Sequence, residues 1–447
     1  MDQLCWREWQ MPVDIVLKDG MIIVDEKEVV RSIAISVDKI EGIYRSEEEP
    51  EGKEVIDCQG LYVLPGLIDI HVHLRDLNQS DKEDYESGTR AAAAGGVTTV
   101  VDMPNSDPPV LDRKALESKI ASALGKRYVN VGFYAGIPKK VETFDTRMFP
   151  DILGLKVYPH APLAKGARYT KKRIQKCFDL AAKGDLPLLL HPDISSPKEK
   201  PDDIEEFFLK HSCKVETEAV KRFLDSRVQY ENRLHVCHVS CASTARIILE
   251  HRAEATLTAE VTPHHMFLSG ENFPHEDGTA KVLPPLRSPY DGKKLQGSLC
   301  MMCAIDCVAS DHAPHSAEDK KRTFLEAASG IPGLETTLPL MLTEVFEGRI
   351  AWADYFRICC SAPARILGIP NKGVLAKGYD ADIVLVRKEE YKVVGKEFYS
   401  KAKITPFEGR RVLARPLTTI VGGEIVFRDG EIVIGPGIAG RVPVRRG

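Results

Sequence analysis

The sequence predicts an α/β protein: a (β/α)8 TIM barrel with a small β-sandwich domain formed from both chain ends. Two observations carry this prediction. Eight short apolar runs in the middle of the chain alternate with helical patterns, and strand-like segments with turn signals crowd both ends. A doubly wound open sheet is the alternative, but it should show a glycine-rich phosphate turn after its first strand, and the sequence has none.

The predicted barrel strands are runs of apolar, often β-branched residues. They are Leu67–Leu74, Val97–Met103, Asn130–Ala135, Ile152–Tyr158, Leu186–Leu190, Leu234–Val239, Thr256–Val261 and Ala304–Ser310. Segments with helical periodicity fill the gaps, for example Glu83–Ala94, Asp112–Leu124, Thr170–Lys183, Glu216–Arg227, Ser243–Glu250 and Leu334–Phe346. Because strands and helices interleave in this way, a parallel barrel is favoured.

Both ends of the chain are typical of a β domain. The first end has the strand-like segments Asp14–Leu17, Met21–Val24, Ile33–Ser36 and Lys39–Tyr44, with a turn signal at Asp19-Gly20. The last end has Asp382–Val386, Val412–Ala414, Thr418–Val421, Glu424–Phe427 and Ile432–Ile434. We therefore predict one domain from residues 1–65 and 372–447, and a catalytic barrel from residues 66–371.

The composition argues against several classes of partner. Of 447 residues, 43% are hydrophobic and 28% are charged, and the formal net charge is −4. A chain without a basic excess is not expected to bind nucleic acid. We expect no membrane association, because no apolar run approaches the roughly 20 residues of a membrane span. Residues 1–13 lack the apolar core of a secretory signal, which predicts a cytoplasmic protein.

Polar residues that end barrel strands are candidates for catalysis, because the active sites of such barrels lie at that face. The first strand ends in His71 and His73, which are two residues apart, so both imidazoles face the barrel interior. Four further strands contribute one group each: Lys156, His191, His238 and Asp311. Imidazole and carboxylate ligands suit zinc, and six groups are enough for two ions.

Each of these residues also has an ordinary structural interpretation. A single histidine at a strand end is usually a satisfied polar residue, but the recurrence of such groups on several strands favours metal binding. From its spacing alone, Lys156 is more often a salt-bridging lysine. Arg75, considered by itself, is more often a structural arginine.

Several segments resemble the amidohydrolase superfamily. Pro65–Arg75, which contains the H-x-H pair, is similar to the opening motif of that superfamily. Further segments resemble its branch of dihydroorotases and allantoinases: Ala91–Thr99, Asp102–Asn105, Val261–His265, Pro284–Arg287 and Ile331–Glu335. Within this branch, Arg75, Asn105 and His315 resemble the dihydroorotases, since allantoinases usually carry Asn at the first of these positions and Cys at the last.

The resemblance implies two zinc ions per chain. The implied ligands of the first ion are His71, His73 and Asp311, and those of the second are His191 and His238. Lys156, carboxylated on its amine, would bridge the ions together with a hydroxide. Asp311 would also be the general acid and base, which takes the hydroxide proton and passes it to the leaving ring nitrogen.

The implied reaction is the reversible closure of N-carbamoyl-L-aspartate to (S)-dihydroorotate with loss of water, a step of pyrimidine biosynthesis. Arg75, Asn105 and His315 would bind the substrate carboxylate, because a guanidinium can hold a carboxylate through two hydrogen bonds. Leu283 stands where relatives often carry Asn at the pyrimidine ring, so it would contact the ring only through its backbone.

Several alternatives stay open. Cys237 and Glu260 resemble ligands of a third metal in some animal relatives, and residues 159–168 could be a mobile lid or an ordinary loop. The alternative function is an allantoinase or hydantoinase, and a further one is a non-catalytic scaffold homologue. A homodimer is the expected assembly because twofold dimers are common, and a complex with aspartate transcarbamoylase is a further open partnership.

Overall fold

The computed structural model describes residues 12–196, 201–227, 232–252, 256–273, 277–300 and 304–445. Most of the segment that we examined for a secretory signal lies outside these residues. The chain begins with five strands: β1 (Val13–Val24), β2 (Lys27–Ser36), β3 (Lys39–Tyr44), β4 (Gly52–Asp57) and β5 (Tyr62–Pro65). β1 pairs antiparallel with β2 and parallel with β4 and β5, so this end of the chain forms a mixed sheet.

Eight parallel strands then form a second sheet, in which the order in space follows the order in the chain. They are β6 (Leu67–Val72), β7 (Val97–Asp102), β8 (Asn130–Gly136), β9 (Gly154–Val157), β10 (Leu188–Leu190), β11 (Leu234–Val236), β12 (Leu257–Val261) and β13 (Cys307–Val308). The first and last strands approach each other just beyond β13, where the amide of His73 donates to the carbonyl of His312 at 2.8 Å. The predicted barrel is confirmed, and each of its eight strands lies within or beside a predicted run.

The helices pack around this sheet. They are α1 (Tyr85–Ala94), α2 (Arg113–Leu124), α3 (Lys171–Lys183), α4 (Ile204–Lys210), α5 (Cys213–Leu224), α6 (Ala242–Glu250), α7 (Pro263–Phe267), α8 (Pro289–Gln296), α9 (Ala317–Lys320), α10 (Leu334–Phe346), α11 (Trp352–Phe356) and α12 (Ala362–Leu367). Several begin at a residue whose side chain satisfies a free backbone amide. Asp84 accepts from Ser87 at 2.7 Å, and Asp112 accepts from Ala115 at 2.9 Å.

The chain returns to its first sheet after the barrel. The returning strands are β14 (Ile383–Lys392), β15 (Arg411–Val421), β16 (Glu424–Arg428) and β17 (Glu431–Ile432). β14 pairs antiparallel with β5, so the two chain ends meet in one mixed sheet of nine strands. The β domain built from both ends is confirmed, while its predicted bounds at residues 65 and 372 stay predictions.

The sheet differs from the sequence prediction in two details. The segment Asp19-Gly20 is not a turn between two strands but an irregularity within β1, where the pairing with β2 shifts register. Two predicted strands near the last end are parts of the single strand β15. The first difference arises because a bulge, like a turn, uses a residue with positive φ, and Asp19 has φ of 56°.

The interior of the barrel is filled by apolar side chains from the strands. Ile68 and Ile70 from β6 pack in one buried cluster with Val101, Tyr134 and Leu189 from neighbouring strands. A barrel interior packed in this way is a core and not a channel, which leaves the polar groups at the strand ends to form a site. Within the described part of the chain, we find no helix with the length and apolar character that crossing a membrane requires.

Candidate active site

A cavity of about 310 Å³ opens at the C-terminal ends of the barrel strands. Nine residues predicted from the sequence line it together: His71, His73, Arg75, Asn105, His191, His238, Leu283, Asp311 and His315. The three other predicted residues, Lys156, Cys237 and Glu260, are buried behind this wall. The structure therefore brings together groups that are separated by up to 244 positions in the chain, between His71 and His315.

His71 and His73 face the same carboxylate. The Nε2 atom of His71 lies 3.3 Å from Oδ1 of Asp311, and Nε2 of His73 lies 3.1 Å from the same oxygen. This convergence follows from the two-residue period of β6, which places both rings on one side of the strand.

His191 and His238 complete the ring of imidazoles. The ring centroids of His191 and His238 are 4.5 Å apart, and those of His71 and His238 are 5.1 Å apart. His71, His238 and Asp311 each offer one ligand atom, and these atoms lie within 4.8 Å of one another. A spacing of this size suits donors that share a metal centre.

The protonation state of the cluster also suits a metal. Burial lowers the pKa of each of the four rings, His71, His73, His191 and His238, so the imidazoles are neutral at neutral pH. Neutral imidazole is the form that binds a metal. Burial also raises the pKa of the Asp311 carboxyl, an effect that His71 and Lys156 oppose.

Two ring nitrogens in the cluster lack a protein partner. Among the described residues, Nε2 of His191 and Nδ1 of His238 are buried and have no hydrogen-bond partner. Buried polar atoms are normally paired, so unpaired nitrogens in a cluster of neutral imidazoles need an explanation. A bound cation supplies one, and the donor set therefore fits a metal centre.

Lys156 lies in β9, buried beneath the histidines. Its Nζ atom donates to Sγ of Cys237 at 2.7 Å and lies 5.2 Å from the centroid of the Tyr158 ring. Burial raises the pKa of the Cys237 thiol well above its usual value, so the sulfur is a neutral acceptor. The contact between Lys156 and Cys237 is therefore a hydrogen bond to a neutral thiol and not an ion pair.

Glu260 is a positioning group that the sequence did not reveal as such. Its carboxylate accepts from Nδ1 of His71, from Nε2 of His235 at 3.0 Å and from the amide of His238 at 3.2 Å. Although burial opposes it, the neighbouring His71 and His235 hold the pKa of Glu260 well below its usual range. A carboxylate on the far nitrogen of a histidine fixes the ring orientation and tautomer, and leaves the other nitrogen free as a ligand.

A group of cationic and polar side chains lies beside the histidines. Nη2 of Arg75 lies 3.2 Å from Nε2 of His315, which in turn lies 3.1 Å from the carbonyl oxygen of Ser329. Burial, together with Arg75, lowers the pKa of His315 to about 2. Asn105 contacts the histidine cluster directly, since its Oδ1 lies 2.7 Å from Nδ1 of His73.

The backbone at Arg75 explains why this side chain reaches the cavity. Arg75 has φ of 56°, and the next two residues, Asp76 and Leu77, are also in the left-handed region. Non-glycine residues rarely adopt this region, so the surrounding contacts must hold it in place. The carboxylate of Asp76 does so by accepting from the amides of Leu77 and Tyr85.

Sequence reasoning missed several residues of the cavity wall. Tyr158 and His160 line it, and the ring centroid of His160 lies 4.3 Å from that of His191. Tyr158 is the last residue of the predicted strand that contains Lys156, and His160 lies two residues beyond it, so their position at a strand end could have identified them. Leu163 also lines the cavity, so part of the segment 159–168 lies at the site. Whether this segment is a mobile lid stays a prediction.

The fold and this cluster define a class of protein: a parallel α/β barrel whose strand ends carry a cluster of histidines and a carboxylate that fits a metal centre. The model of the amidohydrolase family matches residues 62–426. The chain belongs to the amidohydrolase family.

Within this family, the chain is similar to dihydroorotases over nearly its whole length. It is 33% identical over 432 residues to the dihydroorotase of Methanosphaera stadtmanae, covering 94% of each chain. It is 36% identical over 426 residues to the dihydroorotase of Pyrococcus horikoshii, again covering 94% of each. The resemblance that the sequence motifs indicated is confirmed at the level of the family.

Solved structures show the same fold. The L-hydantoinase (dihydropyrimidinase) of Arthrobacter aurescens is 27% identical, with a TM-score of 0.88, and the match covers 97% of this chain and all 100% of that one. The dihydropyrimidinase of Brevibacillus agri, at 24% identity and a TM-score of 0.83, shares the fold over 97% of this chain and 99% of that one.

Proposed function

We propose that the protein is a dihydroorotase, which interconverts N-carbamoyl-L-aspartate and (S)-dihydroorotate plus water. One observation carries the proposal: Arg75 and His315 lie 3.2 Å apart in the cavity that also holds the histidine cluster. The substrate ring carries a carboxylate, and an arginine beside a metal cluster suits a substrate with an anionic group next to the reacting amide. The similarity to dihydroorotases supports the same activity.

Two zinc ions per chain are the proposed cofactor. The proposed ligands are His71, His73 and Asp311 for one ion, His191 and His238 for the other, and Lys156 as a carboxylated bridge. Neutral imidazoles and a carboxylate are typical zinc donors. When bound, such a pair of ions supplies a nucleophilic hydroxide at neutral pH and polarises the carbonyl that it attacks.

The side chains of the chain itself have separate tasks in this proposal. Arg75, Asn105 and His315 hold the substrate carboxylate, and Leu283 contacts the ring through its backbone amide and carbonyl. Asp311 receives a proton on its carboxylate oxygen during ring opening and delivers it to the leaving ring nitrogen. In ring closure the same carboxylate takes the proton from that nitrogen.

The remaining proposals concern the setting of the enzyme. We infer a role in pyrimidine biosynthesis, because the proposed substrates belong to that pathway. A cytoplasmic location is proposed as well. A homodimer is the proposed assembly, with aspartate transcarbamoylase as a further partner to be tested. Size-exclusion chromatography with light scattering, with and without that enzyme, tests both.

The activity is tested by following ring opening of dihydroorotate and ring closure of N-carbamoyl-L-aspartate with the zinc-loaded protein. We expect Asp311→Ala to lower kcat by about 10²–10⁴-fold, the contribution typical of a general acid–base group. Arg75→Ala should instead raise KM by about 10–100-fold, as expected for a lost charge-assisted hydrogen bond. Asp81→Ala and Arg222→Ala, at exposed positions, are the matched controls.

A second candidate function is a hydantoinase, which the structural similarity to the L-hydantoinase of Arthrobacter aurescens favours. The two functions differ in the need for a substrate carboxylate. The hydantoinase function would be favoured by two results together: no turnover of dihydroorotate, and turnover of hydantoin or allantoin that Arg75→Ala does not change. A zinc-loaded protein that turns over none of these rings would favour the scaffold interpretation.

A further inference from the structure

Lys320 is a buried lysine outside the histidine cluster, at the end of α9, with 3% of its surface exposed. Its amine donates to three backbone carbonyls: Lys281 at 2.9 Å, Ala328 at 3.0 Å and Gly330 at 2.9 Å. An ammonium has three donors, so the hydrogen-bonding capacity of this side chain is fully used.

The three carbonyls come from two separate segments that both reach the cavity. Residues 282 and 283 follow the first carbonyl and line the cavity, and residues 329 and 330 of the other segment line it as well. A direct contact joins the same segments, because the amide of Gly330 donates to the carbonyl of Lys281 at 3.0 Å. Lys320 therefore lies at the junction of two parts of the cavity wall.

The junction also contacts His315, one of the residues proposed to bind the substrate carboxylate. Ser329 accepts from Nε2 of His315 at 3.1 Å, and the same nitrogen lies 3.2 Å from Arg75. A Cβ atom added at Gly330 would lie 2.4 Å from the carbonyl of Ala313, so segment 328–330 fits closely against the segment that follows β13 and carries His315. Movement of segment 328–330 would therefore displace the Ser329 carbonyl, to which His315 donates.

We propose that Lys320 is a positioning residue that holds segment 281–283 against segment 328–330 and so fixes the wall around the substrate ring and its carboxylate. The proposal rests on the proposed function, because it assigns this wall to dihydroorotate binding. Lys320 touches no reacting atom, so its loss weakens binding of the ground state and the transition state alike. Uniform weakening of this kind raises KM and leaves kcat nearly unchanged.

The test compares Lys320→Met and Lys320→Gln with the wild type, and Lys321→Met, at an exposed neighbouring lysine, is the matched control. With dihydroorotate we expect Lys320→Met to raise KM about tenfold with kcat within about threefold of wild type. Lys320→Gln keeps two N–H donors and should raise KM less. Hydrogen exchange at the Gly330 amide should accelerate in Lys320→Met and not in the control.

Several results would overturn the proposal. One is a KM equal to that of the wild type in both Lys320→Met and Lys320→Gln. Another is a fall in kcat while KM stays unchanged. If Lys320→Met does not fold, as judged by circular dichroism, the Lys320→Gln variant carries the same test. If the wild-type enzyme does not turn over dihydroorotate, the proposed function fails, and unchanged hydrogen exchange at Gly330 in Lys320→Met would separately refute the role of Lys320.

Discussion

Nζ of Lys119 lies 3.0 Å from Oδ2 of Asp102, and each side chain is 1% exposed. This buried ion pair links two strand ends. Asp102 accepts from the amide of Leu74 at 3.0 Å, and Lys119 donates to the carbonyl of Met103 at 2.5 Å. Leu74 immediately precedes Arg75, and Met103 lies two residues before Asn105. The Lys119–Asp102 ion pair therefore holds the backbone next to two residues of the proposed substrate site.

Lys119→Met is expected to destabilise the protein by about 3–5 kcal/mol, because it leaves the charge of Asp102 buried without its partner. KM for dihydroorotate should rise as well, since the backbone beside Arg75 loses its support. Denaturant unfolding and steady-state kinetics measure the two effects.

Two further variants sharpen this experiment. Lys114→Met, at an exposed position of the same helix, should change stability by less than about 0.5 kcal/mol. Adding Asp102→Asn to Lys119→Met should recover part of the lost stability, because the unpaired charge is removed. A double variant as unstable as the sum of both single variants would contradict the ion-pair explanation.

Much of the fold was predictable because it depends on local sequence patterns, such as apolar runs and strand or helix periodicity. The strands β6 to β12 are buried on both faces, so they stand out as apolar runs between helical patterns. The strand period of two likewise predicted that His71 and His73 share a side. β4 was missed for the opposite reason: its residues are mostly exposed, so it carries no apolar pattern.

The contacts that orient the site were not predictable in the same way. Glu260 contacts His71 across 189 positions of the chain. No local sequence pattern distinguishes a carboxylate that orients a proposed metal ligand from a carboxylate that would itself bind the metal. Arg75 has positive φ although it is neither glycine nor asparagine, and its loop is held by Asp76, which accepts from Tyr85 of α1 and Ser122 of α2. Such information exists only after the chain has folded.

Glu260→Gln is expected to weaken metal binding by about 10–100-fold, the usual effect of losing a group that orients a ligand histidine. The amide cannot provide the negative charge that stabilises His71 in its ligand orientation. Metal retained after dialysis against a graded series of chelator concentrations, measured by mass spectrometry, tests this. Glu271→Gln, at an exposed position, is the control, and equal metal retention in both variants would refute the positioning role.

Metal analysis of the wild type is expected to give two ions per chain rather than three. A third ion would need Glu260 and Cys237 as ligands, but Glu260 already accepts from His71, His235 and the amide of His238, and Cys237 accepts from Lys156. Cys237→Ser should therefore leave the metal content unchanged. A wild-type content of three that falls to two in Cys237→Ser would establish the third site.

The pH dependence of stability provides a test at a group remote from the histidine cluster. Glu335, in α10, accepts from the amides of Tyr399 at 2.7 Å and Ser400 at 3.2 Å, so it joins the barrel to a segment of the returning chain. Burial raises the pKa of its carboxyl to about 8, although these amides oppose the effect.

Because the folded protein binds this proton more tightly than the unfolded chain, Glu335 makes the free energy of unfolding fall as pH rises from about 4.5 to about 8. The slope from one such group is at most about 1.4 kcal/mol per pH unit. Glu335→Gln cannot ionise, so its unfolding free energy should decline less over this range and exceed that of the wild type above pH 8. Urea unfolding at pH 5, 6, 7 and 8 measures the difference, with Glu318→Gln, at an exposed position, as the control.

The opposite outcome is that the unfolding free energies of Glu335→Gln and the wild type change in parallel with pH. That result would show that the Glu335 carboxyl is already ionised at pH 5, and that its two amide hydrogen bonds outweigh its burial.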